Sequence, residues 1–503
     1  MPDLAPQPVL TPADRELGLR LLVREAVFSG GAAALTSGVI LTAFALHLGA
    51  SNLMIGILAS APFLTQILQL PAMVLVERWR ARKRIAVLTS LIGRAMLAVM
   101  AGVAFFAGTG ALMIFLAAQV ILCGMGAVGT CAWNAWMRDL APEERLGQVF
   151  ARRSLWLTAI SLVLGLAAAL ALDATPPGSF ARDLVFAGMF AAGCITGLIS
   201  AILVGIIPEP QMPPAPGPIS LRDLLRSPFA DSNFRRLLAF VASSQFAINF
   251  ATPFFTVFIV RQLHFDISFV MLLNALSQIA NIAAVRLWGR LSDRYANKSV
   301  LAVCTPVYIV AIVAMIGASQ FADHRIVMVW LILLHIVMGA SIAGLTLAST
   351  NIALKLSPKG SATAYVAVSA MTTALAAGLA PIIGGLLAEF FARRQFELLV
   401  RWTSPNGVIQ LPIILTQWDF YFLIAGMIGL YAIHRLPLVE ERGAIERRAL
   451  MVQAIDETRR SIRNISSVAG LRAATDLPGN LLRDARLRVR LRRAQAAMRD
   501  RRA

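Results

Sequence analysis

Gly289-Arg290-Leu291-Ser292-Asp293-Arg294-Tyr295-Ala296-Asn297-Lys298 closes one long apolar run of this chain and opens the next. About two hundred residues earlier, Met73-Val74-Leu75-Val76-Glu77-Arg78-Trp79-Arg80-Ala81-Arg82-Lys83 does the same. In both, an apolar segment ends in an acid, an arginine and an aromatic, and more cations follow. Each stretch follows the second hydrophobic segment of its half. The same loop at equivalent places reads as an internal duplication, with both copies on one side of a membrane.

Composition agrees. Of 503 residues, 58% are hydrophobic and 15% charged, with a mean hydropathy of +0.71. Soluble domains keep about 25% of their residues charged. Apolar runs of 18 or more residues recur, each long enough to cross about 30 Å of hydrocarbon. The net charge of +19 sits in short loops and the C-terminal tail. Topology and anionic lipid account for it more simply than nucleic acid, which is not expected as a partner. Cys123, Cys131, Cys194 and Cys304 all lie in apolar runs without CxxC spacing, so neither metal nor disulfide is implied. No catalytic or cofactor motif occurs: no clustered Ser/His/Asp, HExxH, Walker loop or nucleotide fingerprint.

Twelve spans are expected. Six fall near 27–49, 53–76, 85–107, 110–136, 154–173 and 183–207, and six near 236–261, 267–291, 299–321, 326–350, 364–391 and 416–435. This gives an N-terminal segment (1–26), a six-helix bundle (27–207), a linker (208–235), a second bundle (236–435) and an arginine-rich tail (436–503). Residues 1–26 lack a signal-type apolar run, so the first span is expected to act as its own insertion signal. Cations concentrate after spans 2, 4 and 8 (Arg78 to Arg84, Arg138 to Arg153, Arg290 to Lys298), which puts those loops and both termini in the cytoplasm. Arg393, Arg394 and Arg401, after span 11, go against that bias. The linker begins as a proline-rich spacer, and Ile219 to Phe229 reads either as an interfacial amphipathic helix or a plain connector. The tail reads as a solvated segment or a clamp on anionic headgroups. Leu140 to Ala151 and Leu356 to Ala367 form a second echo, each a proline-initiated approach to span 5 or 11.

With these residues in view the chain resembles the major facilitator superfamily over residues 20–436. Gly289 to Lys298 is similar to the family's loop motif Gly-x-Leu-x-Asp-Arg-x-Gly-Arg-Lys, departing at Ala296 and Asn297. The copy at 73–83 has Met73 for Gly and Glu77 for Asp. Pro381-Ile382-Ile383-Gly384-Gly385 is similar to the family's Gly-Pro-x-x-Gly-Gly element, which span 5 lacks; drug/proton antiport is therefore not implied. The resemblance implies an all-α membrane fold of two pseudo-symmetric six-helix bundles, with a cavity lined by spans 1, 4, 7 and 10.

Gly289, Asp293 and Arg294 are expected to form a conformational latch, the carboxylate meeting the positive N-terminus of span 5 in the other half. Glu77 and Arg78 would do the same toward span 11. The plainer reading is that these cations only enforce topology. Thr36, Ser37, Gln119, Ser244, Gln245, Asn249 and His335 are candidates for the substrate path. Interhelical hydrogen bonding is the competing reading for each. No carboxylate lies near the middle of the expected spans, which favours a neutral or weakly polar solute. The functional expectation is an alternating-access carrier of a small organic solute in a bacterial-type plasma membrane, monomeric and without cofactor. The other class is a transporter-like assembly scaffold that moves nothing.

Overall fold

The computed structural model describes residues 5–7, 10–106, 108–140, 143–212, 227–358, 362–404, 407–441 and 450–455. The linker segment 219–226 and the tail beyond residue 455 lie outside the described residues. Twelve helices are long and apolar enough to cross a membrane. They are α1 (Pro12–His47), α2 (Asn52–Trp79), α3 (Arg82–Val103), α4 (Thr109–Leu140), α5 (Glu143–Asp173) and α6 (Phe180–Ile206). The second six are α7 (Ser232–Gln262), α8 (Ile267–Tyr295), α9 (Asn297–Gln320), α10 (His324–Lys355), α11 (Ala362–Phe391) and α12 (Gln417–Leu438).

Helix starts follow from local chemistry. Thr11 and Asp14 form a capping box around Pro12, and Thr416 with Asp419 does the same for α12. Ser51, Ser179, Asp231 and Asp323 each accept a backbone N–H of the first turn of α2, α6, α7 and α10. These oxygens answer donors that a helix start leaves unpaired. α1 therefore begins at Pro12, well before the apolar run, and Glu25 lies inside it. The helix breaks at Ser37, where Gly38 takes a φ of +59°.

Packing repeats between the halves. The pairs α1–α5, α1–α6, α2–α4, α3–α4 and α3–α6 recur as α7–α11, α7–α12, α8–α10, α9–α10 and α9–α12. The halves meet through α2–α11 and α5–α8, which the same symmetry exchanges. The duplication also has a chemical signature. Glu209, just after α6, accepts the backbone N–H of Arg82 (2.8 Å) and Lys83 (3.2 Å) at the start of α3. Glu441, just after α12, accepts those of Asn297 (3.3 Å) and Lys298 (2.7 Å) at the start of α9. Each carboxylate sits on a positive helix end. Both are 1% exposed, so these are buried, charge-assisted bonds. Gln7 pairs with the backbone of Glu209 and Gln211, which fixes the N-terminal segment to the face where α6 ends. That face, where α6 and α12 end, is called the terminal face below; the other is the far face.

One element was not expected in an all-α chain. Between α11 and α12, on the far face, β1 (Phe396–Ser404) pairs antiparallel with β2 (Gly407–Leu415). Arg394 donates to the Phe390 carbonyl and stacks on its ring, holding the C-terminal end of α11. At least one of the arginines that oppose the charge bias thus has a local structural use.

Candidate substrate pathway and gates

The two halves are sealed at the far face. Asp173, the last residue of α5, accepts the backbone N–H groups of Ile267 (3.0 Å) and Ser268 (2.7 Å) at the start of α8. Glu389, near the end of α11, accepts that of Asn52 (3.3 Å) at the start of α2. The two contacts are symmetry equivalents. Each brings a carboxylate from one half to a helix N-terminus in the other. Arg261, at the end of α7, adds a bond to the Ala50 carbonyl (3.3 Å). Behind these caps the helices are nearly in backbone contact. A Cβ on Gly56 would stand 2.2 Å from the Pro381 carbonyl oxygen, and one on Gly385 2.6 Å from that of Asn52.

At the terminal face the same helices separate. Glu77, Arg78, Asp293 and Arg294 are all exposed. Among the described residues, no hydrogen bond or ion pair joins any of them to the other half; Arg294 stacks on its neighbour Tyr295. A Cβ on Gly289 would meet only Leu347, at 3.9 Å. The expected latch is therefore not engaged in this state. The same physics, a carboxylate on a helix end of the opposite half, operates instead at the far face.

Between the parted helices lies a cavity of about 530 Å³, lined by α2, α7, α10 and α11. Its volume is in the range of small-ligand sites. Gln66, Gln69, Gln245, Thr346, Ser349 and Thr350 supply polar groups, and none of the lining residues is charged. Of the seven path residues expected from sequence, only Gln245 lines it. Asn249 donates to the Gln245 backbone carbonyl (2.9 Å) and side-chain oxygen (3.2 Å), and so orients that amide. His335 lines a separate cavity of about 90 Å³ with Asn274, Thr252 and Tyr308, and its Nδ1 bonds the Leu331 carbonyl. Thr36, Ser37 and Ser244 hydrogen-bond backbone carbonyls of their own helices. Gln119 is buried, donates to the Cys123 sulfur, and leaves its carbonyl oxygen without a partner.

Sequence reading missed a charge cluster inside the first half. Glu25 on α1 is 5% exposed. It accepts from Arg153 of α5 (3.1 Å) and from Ser200 of α6 (2.9 Å). Arg94 of α3 lies close enough to feel its charge. Glu25 thus pairs with a cation of a second helix, with that of a third near enough to feel it. The signal in the sequence is Arg94, well inside a span; its neighbour Glu25 falls in the segment 1–26, ahead of the first expected span.

The family profile described as Major Facilitator Superfamily matches residues 26–258 and again residues 237–449. The chain belongs to the major facilitator superfamily. It is an integral membrane protein of twelve spans. The nucleoside transporter NupG shares 16% identity with a TM-score of 0.61, covering 85% of this chain and 100% of its own. A D-xylose–proton symporter shares 13% at 0.56, covering 87% and 98%. A bacterial homologue of the lysosomal transporter Spinster, in an inward-facing conformation, shares 14% at 0.55, covering 88% and 98%. No curated protein matches the sequence at a significant level. At these identities the likeness is one of fold. Within this superfamily chain, two six-helix halves joined at the far face and parted at the terminal face are the geometry an alternating-access cycle requires.

Proposed function

We propose that the protein is a secondary carrier that moves a small, uncharged organic solute by alternating access. Its terminal face is cytoplasmic, in a bacterial-type plasma membrane. The observation that carries this reading is the pair of carboxylate caps at the far face, opposite an open, charge-free cavity. Two bonded helix ends and glycine-mediated contact close one mouth while the other stands open. Exchanging the state means breaking these caps and bringing Asp293 and Glu77 onto the helix starts of α5 and α11. A neutral solute suits the cavity, because a buried charge without a counter-charge is expensive to desolvate. The cation bias after spans 2, 4 and 8 supports the orientation.

The test is flux in proteoliposomes over a panel of neutral nucleosides, sugars and uncharged amphiphiles. The carrier reading expects saturable flux of at least one solute and its loss in Asp293→Asn with the fold intact. No flux for any of them in the native protein would sink it.

A further inference from the structure

Resting on the carrier reading above, we propose that the solute is a neutral single-chain amphiphile that reaches the cavity sideways, from the terminal-face leaflet, through the gap between α2 and α11.

The gap has a structural origin. From Asn52 to Leu64, α2 lies against α11. Pro62 lies near the end of this segment, and a 3₁₀ turn follows at Thr65–Leu68. The remaining part, Gln69–Trp79, packs on α4. The two helices that close the far face therefore diverge within the bilayer, and the 530 Å³ cavity occupies the space between them.

The walls of that cavity are mainly apolar with a few uncharged polar groups. Apolar side chains predominate, with Phe63, Ile67, Leu70 and Met73 on α2 and Val366, Ala367, Ala370 and Met371 on α11, while Gln66 and Gln69 on α2 and Gln245, Thr346, Ser349 and Thr350 on α7 and α10 supply uncharged polar groups. Apolar surface also continues outward. Ile67 and Met73 line the cavity, and their neighbours Leu68 and Val74 are exposed at 40% and 57%. A wholly polar solute would have no use for an apolar doorway and would be poorly matched by the apolar walls. An acyl or similar chain moving from lipid into the gap changes its surroundings little, since lipid tails are as apolar as leucine. Selection then falls to the head, which meets uncharged amide and hydroxyl groups and must itself be uncharged.

The full-length protein in nanodiscs is irradiated with a monoacylglycerol carrying a diazirine in its chain, and adducts are mapped by mass spectrometry. Adducts are expected on Leu70, Met73 and Met371. They should fall roughly tenfold with excess plain monoacylglycerol, and likewise in Ala370→Trp, which fills the gap from an exposed position. Adducts on Leu91 and Ile92, exposed on α3, report ordinary lipid contact and should not change. Gln245→Ala, which removes a cavity-lining amide, should weaken competition without touching the gap. Chamber adducts that are absent, or that neither competitor nor Ala370→Trp reduces, overturn the proposal. Flux of a water-soluble solute without competable adducts removes the amphiphile and leaves the carrier. Absence of both removes the carrier as well.

Discussion

Glu25 shows what a single side chain can demand of a membrane bundle. Its carboxylate accepts from the Arg153 guanidinium, and Arg94 lies near enough to feel its charge. Removing it leaves two cations without compensation in a poorly hydrated place. Breaking a buried pair from one side costs about 3–5 kcal/mol. Glu25→Ala should therefore lower the thermal unfolding temperature markedly, while Ser200→Ala, which removes one neutral donor, should cost about 1 kcal/mol. Equal melting of Glu25→Ala and the native protein would show the cluster to be dispensable. Gln245 carries a different expectation. Gln245→Ala should weaken binding of the transported solute, and Asn249→Ala should do so by freeing the Gln245 amide. Ser244→Ala should leave affinity unchanged, because its hydroxyl is turned to the Val241 carbonyl. Isothermal titration with the solute selected by the flux panel distinguishes the three.

At the scale of helices, the seal rests on ends and on glycine. Asp173→Asn and Glu389→Gln each remove a charge from a helix N-terminus, worth up to about 2 kcal/mol at the half-buried Asp173 and about 0.3–1 kcal/mol at the exposed Glu389. That amounts to a shift of up to roughly 30-fold in the ratio of the two states for the first and up to roughly 5-fold for the second. Gly56→Ala should act more strongly, since its methyl would collide with the Pro381 carbonyl. All three should lengthen the distance between spin labels at Pro177→Cys and Ala322→Cys, on far-face loops of opposite halves, in a background lacking the native cysteines. Asp293→Asn should move the population the other way, toward the form described here. A distance distribution that ignores every one of these changes would contradict the gating scheme. The principle of the gates was legible beforehand, in an acid and an arginine at the end of span 8. Their far-face counterparts were not recognised, although Asp173 and Glu389 close spans 5 and 11 at equivalent positions. Nothing local distinguishes a terminal acid that solvates freely from one that meets a helix start eighty or more residues away. Glu209 and Glu441 escaped for the same reason.

For the whole molecule, duplication and span count could be read because apolar length and repeated motifs are one-dimensional properties. The cavity wall could not. Thr36, Ser244 and Gln119 carry the same polar groups as Gln245, and only the rotation of each helix decides which group faces inward. The β-hairpin was hidden as well: spans 11 and 12 are expected to stop at 391 and resume at 416, and the stretch between them, with Arg393, Arg394 and Arg401, reads as a charged loop. Orientation is open to direct measurement. A reporter fused after residue 441 should be active only in the cytoplasm, and activity outside would invert the molecule. The same inversion would place the hairpin and its arginines on the inner side.

The far-face bonds have one more implication. The donors to the two carboxylate caps are peptide groups at positions 52, 267 and 268, not side chains. For these bonds alone any residue but proline serves at those three positions, although Asn52 and Ile267 are buried and answer to packing as well, whereas 173 and 389 are held to an acid by the caps. Ser268→Ala should pass unnoticed and Ser268→Pro should leave the far-face door ajar: the lock is cut into the chain's own spine, and only the key is a side chain.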